Sequence, residues 1–131
     1  MTVIDRPGIA QVSSTGWTSA CPMDYLIPGR GVAVLLGSGR QAALFLLPDG
    51  TLYAVGNIDP FGLAAVMSRG IVGDRAGVPT VASPLLKQTF SLLDGHCFDD
   101  AGVRLPVYGV RVVDGTVLVS DEPIRTAAAR S

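Results

Sequence analysis

The chain has 131 residues, the size of one ordinary domain, and carries 10 basic and 11 acidic residues for a net charge of −1. A charge so close to zero argues against nucleic acid and against an anionic membrane as partners. Hydrophobic residues make up 48% and charged residues 16%, which favours a folded domain over a disordered chain. The 16 glycines and 9 prolines indicate many turns between short strands.

Histidine and cysteine are scarce in this chain. There is one histidine, His96, and there are two cysteines, Cys21 and Cys97. Three such residues are too few for a four-ligand zinc site, and the wide spacing of the cysteines excludes a CxxC motif. Residues 1–11 lack the apolar core of a secretory signal, and the longest apolar runs fall far short of the ~20 residues that span a bilayer. The sequence therefore predicts a cytoplasmic protein with reduced thiols.

The first half of the chain predicts a strand meander. Residues 1–15 have no periodic pattern and are predicted to form a flexible lead into a domain that covers residues 16–120. Two apolar runs, residues 32–36 and 43–47, flank a glycine-rich connection and predict a hairpin. A Pro-Asp-Gly turn then leads into a third strand over residues 51–55.

The middle of the chain differs from both ends. Residues 60–67 could form one or two helical turns, whereas residues 68–79 contain three glycines among charged residues and predict an irregular loop. A long connection of this kind in a small domain is often functional.

Strand patterns return after residue 87. Residues 88–92 alternate polar and apolar side chains, and residues 107–113 and 116–120 are joined by an Asp-Gly pair that favours a tight hairpin turn. Residues 121–131 are predicted to form a flexible tail. Strands on both sides of a short helix or irregular insertion predict one all-β domain of antiparallel sheets.

No catalytic set emerges from the residues. His96 is the one possible imidazole base, and its place after an Asp-Gly turn favours an exposed or half-exposed side chain without a catalytic role. Cys97 follows it directly, but neighbours on a strand point to opposite faces, so Cys97 is predicted to be a small buried hydrophobe. The acidic pairs at residues 99–100 and 121–122 are predicted to be solvated. Residues 66–70 miss the first glycine of the G-x-S-x-G nucleophile elbow.

Two loop segments resemble those of a known fold. Residues 57–61 (NIDPF) follow the meander, and residues 83–87 (SPLLK) precede the next strand. Their arrangement resembles a Rieske domain, in which a C-x-H loop and a C-P-x-H loop hold a two-iron cluster. Laid on that pattern, the four ligand positions are Asn57, Asp59, Ser83 and Leu86. A Rieske centre needs two thiolates and two imidazoles, so the resemblance implies a Rieske-like fold without the metal.

A narrower family of Rieske-like proteins also lacks the cluster ligands. The sequence resembles the small subunit of NAD(P)H-dependent nitrite reductase. The segments that carry this resemblance are residues 26–32 (LIPGRGV), 55–61 (VGNIDPF), 65–75 (AVMSRGIVGDR), 81–88 (VASPLLKQ) and 106–112 (PVYGVRV). It implies a large partner subunit that carries FAD, siroheme and an iron–sulfur cluster and reduces nitrite to ammonia. This chain would then be a non-catalytic accessory subunit with no cofactor of its own.

The residues themselves add a candidate docking surface for this partner. In a Rieske-like fold the two loops and residues 67–75 should lie close together, with Phe61 and Leu86 as apolar anchors and Arg69, Arg75 and Lys87 as charged neighbours. Three alternatives remain open: a free Rieske ferredoxin, an independent enzyme that uses His96, and a regulatory or scaffold module of another oxidoreductase.

Overall fold

The computed structural model describes residues 16–124, so the predictions for residues 1–15 and 125–131 lie outside it. This range contains two antiparallel sheets and two 3₁₀ helices, Met23–Tyr25 and Met67–Arg69. The strands are β1 (Trp17–Pro22), β2 (Gly31–Leu35), β3 (Gln41–Leu46), β4 (Leu52–Gly56), β5 (Ile71–Arg75), β6 (Val78–Ala82), β7 (Thr89–Ser91), β8 (Val107–Val113) and β9 (Thr116–Ile124).

The larger sheet has six strands in the order β1-β9-β8-β4-β3-β2. The predicted meander is confirmed as β2, β3 and β4, which pair consecutively and antiparallel. Strand β3 lies between β4 and the edge strand β2, and its residues 42–46 are all buried. Its alternate side chains enter two different core clusters, as expected for an apolar run that is covered on both faces.

The second core cluster joins the two sheets. It contains Phe45 and Val55 from the large sheet, Val81 and Phe90 from the small sheet, and Met67 from the second 3₁₀ helix, all completely buried. Burying side chains of this size contributes about 1.5–3 kcal/mol each, so this cluster holds the small sheet in place.

The small sheet corrects the prediction of an irregular loop over residues 68–79. That segment forms most of a hairpin of β5 and β6, which β7 extends to three strands. Ala76 and Gly77 both adopt positive φ, 53° and 89°, as a tight two-residue hairpin turn requires. The pattern was hidden because β5 is largely exposed and Gly73 interrupts it. Residues 60–67 are not helical until Met67, where the second 3₁₀ helix begins.

The β8–β9 hairpin is confirmed, with Asp114 and Gly115 both at positive φ. Strand β9 continues to Ile124, so the predicted boundary at residue 120 lies inside a strand. Asp121 is buried in that strand and not solvated, because its carboxylate accepts hydrogen bonds from Thr18 and from the backbone N–H of Gly37. Across residues 16–124, no helix is long and apolar enough to cross a membrane.

Candidate functional site

Two loops meet beside the small sheet. The first loop, residues 57–63, follows β4, and the second loop, residues 83–88, connects β6 to β7. In the first loop the N–H of Leu63 donates to the carbonyl of Asp59 at 2.7 Å, and in the second the N–H of Lys87 donates to the carbonyl of Ser83 at 3.1 Å. Each loop is therefore closed by a backbone hydrogen bond to one of the ligand positions, Asp59 in the first loop and Ser83 in the second.

The closing residues have unusual backbone geometry. Leu63 has φ 56° and Lys87 has φ 65°, in the left-handed region that glycine normally occupies. Such a conformation costs a residue with a Cβ roughly 1–2 kcal/mol. The rest of each loop must hold these residues in place, and both leave long side chains exposed at the loop tips.

Asp59 and Ser83 join the two loops directly. The Ser83 hydroxyl donates to the Asp59 carboxylate at 2.5 Å, and the side chains are 1% and 0% exposed respectively. The same carboxylate accepts the backbone N–H groups of Phe61 at 2.8 Å and Gly62 at 3.2 Å. Burial by itself would raise the pKa of Asp59, but these three hydrogen bonds together hold that pKa below its usual value.

Asn57 connects the first loop to two other elements. Its side-chain carbonyl accepts the backbone N–H of Ser68 at 2.8 Å, and its amide donates to the side chain of Gln41 at 3.1 Å. Its backbone carbonyl accepts the N–H of Met67 at 3.0 Å. Asn57 is 1% exposed, so these bonds satisfy a polar group that would otherwise be costly to bury.

The residues at the ligand positions do not fit a Rieske centre. The Asp59 carboxylate and the Ser83 hydroxyl are bonded to each other, and Leu86 is a hydrocarbon that is 56% exposed. Cys97 lies in the second core cluster, away from both loops in the sequence. Across the part of the chain that the structure describes, no three His, Cys, Asp or Glu residues are grouped as metal ligands would be.

The other two residues considered for catalysis, His96 and Cys97, make contacts that stabilise the fold. His96 is half-buried, as predicted; its Nδ1 lies 2.6 Å from the Asp94 carboxylate, and its ring packs 4.5 Å from that of Phe98. Cys97 is 2% exposed, in agreement with its prediction as a small core residue. The pKa of Asp94 is lowered, because hydrogen bonds from His96 and the nearby positive charges outweigh the effect of burial.

Four of the candidate docking residues lie on different elements of the structure. Lys87 is exposed on the second loop, and Arg69 is exposed on the second 3₁₀ helix. Phe61 is half-buried and packs against the core, with its ring 6.3 Å from that of Phe90. Arg75 lies at the far end of β5, where its guanidinium covers the Phe98 ring at 4.7 Å.

Sequence reasoning missed several residues around the loops. Leu63 is 79% exposed, and Leu85, at 47%, lies against Gly62, where an added Cβ would come within 2.8 Å of its side chain. Gln41 supports Asn57 from β3. The sequence signal that could have found them was the presence of leucines beside a Rieske-like ligand position. That signal is weak, because single apolar residues on a surface are common.

The fold and the two loops define the class of protein. A model of the Rieske-like [2Fe-2S] domain family matches residues 16–120, which confirms the predicted Rieske-like, all-β fold. The chain is a member of this class, although its four ligand positions carry other residues.

Similarity to individual proteins identifies the narrower family. The chain is 43% identical over 102 residues to the nitrite reductase (NADH) small subunit of Salmonella typhimurium, covering 77% of this chain and 94% of the relative. It is 59% identical to a solved NADH-dependent nitrite reductase small subunit from Mycobacterium tuberculosis, with a TM-score of 0.79 over 82% of this chain and 96% of that one. The chain belongs to the family of nitrite reductase small subunits.

A third relative has a different organisation. The nitrite reductase [NAD(P)H] large subunit of Klebsiella oxytoca is 36% identical to this chain over 124 residues. The match covers 95% of this chain but 13% of the relative. A segment similar to most of this chain is therefore part of a large-subunit polypeptide in that protein.

Proposed function

We propose that the chain is the accessory, non-catalytic subunit of an assimilatory nitrite reductase [NAD(P)H], which reduces nitrite to ammonia. Its partner is the large subunit, the catalytic part of that oxidoreductase. Family membership supports this function, and so does the Klebsiella relative, because a segment similar to this chain occurs there within a large subunit. Domains found in one polypeptide in one protein and in two in another commonly act together.

The chain itself carries no cofactor in this proposal. FAD, siroheme and the iron–sulfur cluster belong to the large subunit, and the complex works in the cytoplasm. The observation that carries the accessory role is the hydrogen bond between Asp59 and Ser83. It occupies the polar atoms at two ligand positions and joins the loops that a cluster would otherwise link. In this proposal the two loops contribute a surface that binds the partner and not ligands for a cluster.

That surface is the loop-tip face, formed by Leu63, Leu85, Leu86 and Lys87. The three leucines are 79%, 47% and 56% exposed, and they come from the two loops that Asp59 and Ser83 hold together. Clustered apolar side chains with a cation at the rim are typical of protein interfaces. Because the loops are closed by hydrogen bonds before binding, docking costs little ordering entropy. We assign this face to the large subunit.

The proposed function is tested on the complex. The chain is purified by affinity from cells grown on nitrate, and the absorption spectrum and subunits of the complex are recorded. We expect a large subunit with flavin and siroheme bands, and an isolated chain without stoichiometric iron. Recovery of a different oxidoreductase would support the scaffold alternative and overturn the nitrite reductase assignment. Stoichiometric iron and acid-labile sulfide in the isolated chain would overturn the cofactor-free role.

The docking face is tested with a matched pair of variants. L85S/L86S should weaken binding of the large subunit by at least about tenfold, because interface anchors commonly contribute 1–2 kcal/mol or more each. L35S is the control, since Leu35 is 71% exposed on β2 and lies outside both loops. If the complex forms and wild type and L85S/L86S bind the large subunit with equal affinity, the docking face is wrong, whereas the proposed function stands.

A further inference from the structure

Two glycine-arginine segments form one notch on the surface. Gly29, Arg30 and Gly31 lie at the start of β2, and Ser68, Arg69 and Gly70 lie at the second 3₁₀ helix. These six residues together line a concavity of about 210 Å³. Both segments carry the sequence resemblance described above, but neither has a place in the loop-tip face.

Two glycines of the notch lie too close to neighbouring backbone to carry side chains. A Cβ added at Gly31 would lie 2.3 Å from the carbonyl oxygen of Ser68 in the other segment, and one added at Gly70 would lie 2.6 Å from that of Ala82 on β6. Arg30 and Arg69 are the long side chains of the lining.

The charge of the notch is positive and unbalanced within the described chain. Arg30 and Arg69 are both exposed, and neither forms an ion pair with any residue in 16–124. The backbone N–H groups of Gly29, Arg69 and Gly70 already donate to carbonyls at 2.8–2.9 Å. Donors for a ligand therefore come from the Ser68 hydroxyl and from the two guanidinium groups, each of which has five N–H donors.

Size and charge select the class of ligand. A guanidinium matches the two oxygens of a planar oxyanion with two parallel N–H···O bonds. A notch of about 210 Å³ holds such an anion with a few waters, but it is smaller than the pockets of about 300–1,000 Å³ that bind nucleotides and cofactors. We infer that the Arg30–Arg69 notch is a binding site for a small oxyanion, a class that includes carboxylates and nitrite.

Oxyanion binding at the notch goes beyond the proposed function and can occur without the large subunit. Nitrite, the substrate of the proposed complex, belongs to this class of anion, and the notch would hold it on the accessory subunit. Binding can be measured on the isolated full chain, where the large subunit plays no part. A negative result at the notch would leave complex formation and turnover untouched.

The test is an NMR titration of the ¹⁵N-labelled full chain at constant ionic strength. Sodium nitrite or sodium acetate replaces sodium chloride stepwise, and the amide signals of residues 29–31 and 68–70 are followed. We expect saturable shifts at these six residues with both oxyanions. R30Q and R69Q should each weaken binding by about tenfold or more, because either change removes one of the two guanidinium groups that donate to the anion. R40Q is the control, since Arg40 is exposed away from the notch.

Two further measurements decide the origin of any effect. R30K keeps the positive charge but loses the fork, so it should bind the oxyanions more weakly than wild type and more strongly than R30Q. Shifts that stay linear in anion concentration, or that persist in R30Q and R69Q, would overturn the site. So would variants that bind the large subunit more weakly while the wild-type chain binds neither oxyanion, because the arginines would then belong to the docking surface.

Discussion

The Asp59 carboxylate accepts a 2.5 Å hydrogen bond from the Ser83 hydroxyl, although the two residues lie 24 positions apart in the chain. These are two of the four positions at which a Rieske domain would place cluster ligands. Both side chains are buried, so the bond joins the two loops inside the protein and not at its surface.

Ser83→Ala should destabilise the protein by about 1–3 kcal/mol. The change leaves a buried carboxylate without its hydroxyl donor and leaves the backbone N–H of Leu85, 3.2 Å from the same oxygen, without its acceptor. Urea unfolding at neutral pH measures the difference. Ser19→Ala is the control, because Ser19 is exposed on β1, and it should change the unfolding free energy by less than about 0.5 kcal/mol. Equal losses in both variants would contradict a specific role of the loop-to-loop bond.

Asp59 should make stability depend on pH on the acid side. Its pKa in the folded protein is lowered against the unfolded value near 3.8, so the unfolded state binds more protons. The contribution is fully present above that unfolded pKa and is lost as pH falls below about 4 through the folded pKa. Asp59→Asn should be less stable at neutral pH and should lose less stability than wild type between pH 5 and 3. Parallel curves for the two proteins would show that Asp59 does not supply this term.

The sequence was enough to predict much of this fold. Hairpin turns that need positive φ are announced by pairs such as Asp114-Gly115, and β3 is recognisable as a continuous apolar run. The turn at Ala76 and Gly77 was missed because alanine rarely adopts positive φ and because β5 shows little apolar alternation. Local patterns therefore revealed most of the large sheet but concealed two of the three strands of the small sheet, β5 and β6.

The contacts within the site were not predictable from the sequence. The resemblance to a Rieske domain placed Asn57, Asp59 and Ser83 at ligand positions, but no one-dimensional pattern shows that an aspartate and a serine bond to each other across two loops. Arg75 was expected near the loops as the last residue of the segment 67–75. It is the last residue of β5, next to the hairpin turn, and its guanidinium covers the Phe98 ring.

Charge reversal should separate Lys87 from Arg75 as docking residues. Lys87→Glu places a negative charge on the loop-tip face and should slow association with the large subunit, with a salt-dependent effect of a few-fold or more. Arg75→Glu changes the charge by the same amount but acts at the Phe98 ring, so the association rate should stay near that of wild type. Surface plasmon resonance at two salt concentrations measures both. A larger effect of Arg75→Glu would move the docking surface to the outer side of the small sheet.

Asp121→Ala should be among the most destabilising single changes outside the loops. The buried carboxylate joins the two ends of the large sheet, because it accepts from Thr18 on β1 and from Gly37 in the β2–β3 turn. Removing it leaves these donors incompletely satisfied and should cost about 2–3 kcal/mol in urea unfolding. Glu122→Ala is the neighbouring control: its carboxylate pairs with Arg40 on the surface, where both side chains are more than half exposed, and exposed ion pairs contribute about 0–1 kcal/mol. If both variants unfolded at the same urea concentration, Asp121 would be no more structural than its exposed neighbour.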